Sequence, residues 1–376
     1  MTRPLGGGIY TVSAGNGAAW KQQLRWADVL GLESPQNYVE LEAAWRISLA
    51  DLPKARVALL GVPLDTGAGI RRGAAYGPRA IRDELLSNPG FHQVLRSRQL
   101  IDLGDVLVNP HLLHDEMLNP KQIRASQNEM YPQLNPTARA KLPVSALSMT
   151  KAVLGAVLKQ HPHLKIFVMG GDHSVAWPVS EVLHKIHGRA LGIAQPDAHT
   201  DLLATRLGVK YCFGTWSFHA NKLLQKDKPR AKSGARFVQF GIRQTGKERS
   251  HWEGLTGVRQ FWADEILKRP SSEIIDEAVR SLRAAGVRKL YFSNDIDGTD
   301  EAEASATGTP AAGGPSSKFF LELIARLGAE FELVGADLME VAPDLGSDAG
   351  KRQTLALAGQ YAWATLEAQL KGPGAP

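Results

Sequence analysis

Short apolar runs, each closed by Gly, Pro or Asp, recur along this chain with amphipathic stretches between several of them, and that alternation restricts the fold most. Residues 56–62, 165–169, 190–194, 236–240, 289–292 and 332–335 read as strands. Between them, 175–186, 272–285 and 317–327 repeat with helical periodicity, and Gly286 and Gly328 stand where helices usually stop. Residues 351–370 read as a long closing helix. Strands alternating with helices predict an α/β protein, a three-layer α/β/α sandwich around a mostly parallel sheet with at least these six strands.

Two segments stand outside that alternation. Residues 108–143 are rich in Pro, Asn and His and longer than an ordinary α/β loop, so an insertion over one edge is expected. Residues 1–50 carry Trp20, Trp26 and Trp45 among helical-looking stretches and read as an ordered extension, packed on the core or on a neighbouring subunit. The main domain is then 51–376. With 376 residues, 43% hydrophobic and 22% charged, the chain can bury a sizeable core, which excludes disorder and low-complexity classes. Its +6 formal charge is small for this length and spread out, so no nucleic-acid partner is expected. No run approaches the roughly 18 apolar residues of a membrane span, and the N-terminus lacks a signal peptide's apolar core. The single cysteine, Cys212, forbids an intrachain disulfide and a thiolate zinc cage and fits a reducing compartment. A cytoplasmic protein without membrane contact is expected.

In open α/β sheets the functional loops lie beyond the carboxyl ends of the strands. Three of the runs end in clusters of acids and histidines: Gly170-Gly171-Asp172-His173-Ser174, Asp197-Ala198-His199-Thr200-Asp201 and Ser293-Asn294-Asp295-Ile296-Asp297. In extended backbone, residues i, i+2 and i+4 point to one side, so Asp197, His199 and Asp201 converge, as do Asp295 and Asp297. The double glycine before His173 allows a tight turn into a helix. Taken singly, each cluster would also suit a capped turn or a solvated loop. Together they offer four carboxylates and two imidazoles, a donor set for two divalent ions such as Mn²⁺ or Ni²⁺.

These clusters also carry a resemblance. The chain resembles the ureohydrolases, the arginases, agmatinases and their relatives, over about 55–370. It is similar to them in Gly61-Val62-Pro63-Leu64-Asp65, in Gly73-Ala74-Ala75-Tyr76-Gly77-Pro78-Arg79, in Asp102-Leu103-Gly104-Asp105 and in the three clusters. Later matches are Gly308-Thr309-Pro310 and Gly335-Ala336-Asp337-Leu338-Met339-Glu340. The resemblance implies an arginase-like fold, with 51–376 as the catalytic domain. It implies one ion on His173, Asp197, Asp201 and Asp295 and another on Asp197, His199, Asp295 and Asp297, with Asp197 and Asp295 bridging. It implies hydrolysis of a guanidinium to urea plus ammonia or an amine, with Asp201 and Glu340 catalytic and Glu340 and Thr309 at the substrate. Trimers or hexamers are the family's usual assemblies, and a metal-loading chaperone is a conceivable partner.

One departure bears on the substrate. Arginases and agmatinases usually carry His-Gly-Thr after the second cluster, and that histidine is assigned to proton transfer; here the segment is Phe213-Gly214-Thr215. A phenyl ring cannot move a proton. Trp216 and Phe218 nearby suggest an aromatic wall on which a planar cation stacks, with Phe213 and Trp216 as substrate contacts and His219 as the replacement for proton transfer. The extension, the altered histidine and residues 293–300 look more like the guanidine-hydrolase branch. Free guanidine or a small N-alkylguanidine, with Ni²⁺ or Mn²⁺, is therefore the leading expectation. A longer guanidino compound, as in agmatinase or guanidinobutyrase, and a catalytically silent subunit of a mixed oligomer remain open.

Overall fold

The computed structural model describes residues 1–9, 17–226 and 234–374. Within them one sheet is built from β1 (Thr2–Arg3), β2 (Val57–Gly61), β3 (Leu100–Val106), β4 (Lys165–Met169), β5 (Leu191–Pro196), β6 (Phe237–Ile242), β7 (Arg259–Trp262), β8 (Lys289–Asp295) and β9 (Glu332–Met339). Their spatial order is β1-β3-β2-β4-β9-β8-β5-β6-β7, and every pairing is parallel except that of β1 with β3. The six expected strands are present. The other three escaped notice for physical reasons. Two are very short, and β3 carries Asp102 and Asp105 in mid-strand, which breaks the apolar run.

Those two aspartates are tolerated because Arg82 is buried with them. Its Nε lies 2.8 Å from Asp102 Oδ2 and its Nη2 3.0 Å from Asp105 Oδ1. Burial raises the Asp102 pKa, and the guanidinium pulls it back toward the charged form. The ion triad thus replaces apolar packing at this point of the sheet.

The strands are buried on both faces, and their alternation divides the core. Val57, Leu59, Phe167, Met169, Leu290 and Phe292 face one layer, whereas Ala58, Leu60, Ile166, Val168 and Tyr291 face the other. The first layer includes helices Ser271–Ala284, Ser317–Glu330 and Asp348–Lys371; the second includes Ala146–Gln160, Ala176–His187 and Trp216–Lys226. Each fully buried Leu or Phe contributes about 1.5–3 kcal/mol. Three layers around a mostly parallel sheet is the expected arginase-like arrangement.

The N-terminal helices Gly17–Val29 and Tyr38–Ser48 bring Trp26 and Trp45 into the first layer, and Trp45 Nε1 donates to the Asp102 carbonyl at 3.1 Å. Asn37 caps the second helix by accepting from Glu40 N–H. Residues 10–16 of the expected extension and 375–376 of the expected main domain lie outside the described residues. The 108–143 segment contains the helices Pro120–Met130 and Pro136–Arg139. It packs Leu113, Met130 and Tyr131 into the second layer, and Glu116 accepts from Lys210 Nζ and the Tyr211 hydroxyl.

Candidate metal centre

Four adjacent central strands, β4, β9, β8 and β5, carry the clusters at their carboxyl ends. After β4 the backbone passes so close to the loop after β2 that a Cβ on Gly171 would lie 1.6 Å from the Leu64 carbonyl oxygen. Asp172 then fixes the turn, accepting from Ser174 N–H and from Gly67 N–H, both at 2.9 Å. His173 follows, fully buried, with Nδ1 3.0 Å from Asp295 Oδ2, 3.3 Å from Asp197 Oδ2 and 3.5 Å from Asp201 Oδ2. His199 Nδ1 lies 3.4 Å from Asp197 Oδ1 and 3.2 Å from Asp297 Oδ2.

Two candidate ligand groups result among the described residues: His173, Asp197 and Asp295, and Asp197, His199 and Asp297. Asp197 belongs to both, one oxygen toward each imidazole. Asp201 stands beside the first group. Asp295 faces His173 with Oδ2, while its Oδ1 accepts Asp297 N–H at 2.9 Å, so here it joins only the first.

The electrostatics show what the cluster favours. Burial pushes the Asp295 and Asp201 carboxyls well above the usual range, and the neighbouring carboxylates push further, Asp297 and Asp197 on Asp295, Asp197 on Asp201. Burial also opposes charging of the imidazoles, yet carboxylates raise both, taking His199 up to about 12. Those two imidazoles in turn hold Asp197 low despite its burial. Divalent cations would satisfy the same carboxylates directly and leave the imidazoles neutral as ligands, so the donor set fits two oxygen-preferring ions.

The remaining expected residues have definite places. Glu340 has φ +61, a left-handed backbone that a non-glycine residue adopts at a cost; its N–H donates to the Gly171 carbonyl and its Oε1 accepts from His173 N–H at 2.9 Å. Burial, then Asp295 and Asp172, raise its pKa, so an adjacent cation would stabilise its charged form. Thr309 Oγ1 donates to Asp297 Oδ2 at 2.8 Å and so holds a candidate ligand. Trp216 is buried behind the centre, its ring centroid 4.7 Å from that of His173 and tilted by 33°, with Nε1 donating to Asp201 Oδ2 at 3.0 Å. Phe213 lies under the Arg206 guanidinium, 4.8 Å from its ring centroid. His219 is not in either group; Nε2 is 3.0 Å from the Lys210 carbonyl, and its ring meets Trp177, Tyr211 and Phe218.

Sequence reading missed three supports. Ser293 Oγ lies 3.0 Å from His173 Nε2 and also bonds Asp337, which accepts from the Tyr291 hydroxyl. Gln195 donates to Asp197 Oδ2 at 2.7 Å. Arg243 donates to the carbonyls of Gly241, Asp297, Gly298, Thr299 and Ala311, gathering the loop that carries Asp297. The Ser293 and Asp337 links have a trace in the matched motifs; a lone arginine after β6 offers none.

Two imidazoles sharing one carboxylate beyond the carboxyl ends of a mostly parallel sheet form a candidate two-ion centre of the kind α/β metalloenzymes carry. The chain belongs to the arginase family, whose model matches residues 55–367. It is accordingly an arginase-family hydrolase of guanidino compounds, and the family depends on a pair of metal ions, typically Mn²⁺. It is 30% identical over 305 residues to the guanidinobutyrase of Pseudomonas aeruginosa, covering 79% of this chain and 82% of that one. To the mitochondrial guanidino acid hydrolase of Homo sapiens it is 30% identical over 293 residues, covering 76% and 71%. Among solved structures it is similar to the proclavaminate amidino hydrolase of Streptomyces clavuligerus, with TM-score 0.62, 27% identity and coverage of 84% and 92%. No helix among the described residues is long and apolar enough to cross a membrane.

Proposed function

We propose that this chain hydrolyses the terminal guanidino group of a substituted guanidine, releasing urea and an amine, at the site formed by His173, Asp197, His199, Asp201, Asp295 and Asp297. The single observation behind the reading is Asp197, shared by two imidazole–carboxylate groups, one of which contains His173, whose N–H Glu340 accepts. Two divalent ions held there, Mn²⁺ or Ni²⁺, would supply an activated water at neutral pH. The protein's own groups do the rest. Glu340 has Oε1 fixed by His173 N–H and presents its second oxygen to guanidinium N–H groups. Asp201 has Oδ2 fixed by Trp216 and offers its other oxygen for proton transfer to the leaving amine. His219, the expected replacement for the missing proton-transfer histidine, has Nε2 on the Lys210 carbonyl and belongs to neither ligand group, so proton transfer is assigned to Asp201. Thr309 and Arg243 hold Asp297 and its loop in place.

Between the two enzymatic expectations, the guanidinobutyrase and guanidino acid hydrolase relatives favour a longer guanidino compound over free guanidine. A cavity of about 590 Å³ beside Phe213, far larger than a guanidinium needs, supports the same choice. Phe213, which stands where proton transfer is expected in arginases and agmatinases, keeps small guanidines as a second reading. In both readings the chain works as a cytoplasmic homo-oligomer, a trimer or hexamer.

Urea release by Mn²⁺- and Ni²⁺-loaded protein from guanidine, methylguanidine, dimethylguanidine, agmatine and 4-guanidinobutyrate tests this. The highest kcat/KM should fall on a long-chain compound. No urea from any of the five would overturn the hydrolase reading, and a preference for free guanidine would select the second.

A further inference from the structure

The cavity beside Phe213 is walled by the loop after β2, the loop after β5 and the start of the 108–143 segment. Gly67 in its wall is hydrogen-bonded to the turn that carries His173: its N–H donates to Asp172, the residue before His173, and its carbonyl accepts from Phe213 N–H at 3.1 Å. Ile70, Leu113, Met117, Leu118 and Leu207 give the walls an apolar character suited to a methylene chain, and no carboxylate lines them. Arg206 is the lysine- or arginine-type cation in the lining.

Its setting is unusual for a surface arginine. The guanidinium carbon lies over the Phe213 ring, 4.8 Å from its centroid, a cation–π contact that leaves N–H donors for a planar acceptor. Arg206 and Val209 exchange two backbone hydrogen bonds, at 2.9 and 2.8 Å, around a tight turn. Leu207 inside that turn has φ +50 and is 98% exposed, a conformation and a position that local energetics do not favour. The neighbouring cation Lys210 is already engaged by Glu116.

We propose that Arg206 is a specificity-determining residue that receives the carboxylate of an ω-guanidino acid while the guanidino end occupies the metal centre. The inference rests on the hydrolase reading above and narrows its substrate class. A carboxylate meets a forked donor there, whereas the ammonium of agmatine meets apolar walls and a like charge. The 108–143 segment thereby becomes part of the selection, because His111, His114 and Met117 line the same cavity as Arg206.

The test compares three guanidines of equal chain length: 4-guanidinobutyrate, agmatine and the uncharged butylguanidine, on metal-loaded wild type, Arg206→Gln and Arg206→Lys. A hydrogen bond to a charged group is worth roughly tenfold to hundredfold in binding. Arg206→Gln should raise KM for the acid by that factor, with kcat within threefold and butylguanidine unaffected, and Arg206→Lys should restore part of the loss. An unchanged KM for the acid, or an equal loss on all three compounds, overturns the assignment. Calorimetric titration with the acid and agmatine reads recognition without turnover. If no guanidine yields urea, tighter binding of the acid that disappears in Arg206→Gln still sustains the role of Arg206 while the hydrolase reading falls; equal binding by both proteins removes the role of Arg206.

Discussion

Asp197→Ala should empty both ion positions at once, and the structure says how strongly. Asp197 places Oδ2 3.3 Å from His173 Nδ1 and Oδ1 3.4 Å from His199 Nδ1, so one side chain serves both groups. Removing a group that only supports a ligand already weakens metal affinity by about 10–100-fold. A direct ligand should exceed the upper end of that range, more than about 2.7 kcal/mol for each ion and roughly twice that for the pair. Asp201→Ala supplies the contrast, since of the two imidazoles Asp201 approaches His173, and its loss should weaken one ion. Metal content per chain after dialysis against buffered Mn²⁺, together with calorimetric titration, reads both variants. Asp197 also accepts from Gln195 Nε2 and His199 N–H, so Asp197→Asn is measured alongside to separate lost ligation from lost local structure. Two ions retained by a folded Asp197→Ala protein, with affinities within threefold of wild type, would refute the shared-carboxylate geometry.

Further outcomes follow from the same contacts. Arg82→Met leaves Asp102 and Asp105 buried without their cation and should cost about 3–5 kcal/mol in urea unfolding; a loss below about 1 kcal/mol would contradict the triad's role. Thr309→Val removes the hydroxyl on Asp297 Oδ2 and should weaken one ion about tenfold while the other keeps its affinity, a result that metal titration distinguishes from general unfolding. In metal-free protein, Asp201, Asp295, His173 and His199 all have raised pKa values, so this cluster binds more protons in the folded chain than in the unfolded one. The stability of that form should therefore fall as pH rises from about 5 to 9, and bound metal, which displaces those protons, should flatten the trend; a Tm that climbs with pH in the metal-free protein would reverse the sign of the argument.

How much could be read in advance differs from element to element. Strands β4, β5 and β8 were legible because each is an uninterrupted apolar run that stops at a polar cluster, and the same stops marked the six candidate ligands. Strand β3 was hidden because Asp102 and Asp105 are neutralised only by Arg82, about 20 residues earlier in the chain. Trp216 illustrates a different limit. Its aromatic character suggested a surface for a planar substrate, but whether an indole faces a cavity or backs a ligand depends on what lies on both sides of it, and here His173 and Asp201 do. Thr309 gained its contact with Asp297 in the same way.

By itself, the sequence determined the alternation of strands and helices, the residue types available for metal ligation and their two-residue spacing, because these follow from local periodicity and chemistry. The family was readable from the same motifs. Only the tertiary structure decided that β4, β9, β8 and β5 lie side by side although β5, β8 and β9 are separated by long stretches of chain. That crossover puts Glu340 over His173 and divides Asp197 between two imidazoles. It also sets Arg206 against Phe213 at the wall of a cavity whose three sides come from distant segments. Strand neighbours in a parallel sheet are chosen by packing across the whole core, a global energy that no local pattern in the chain expresses.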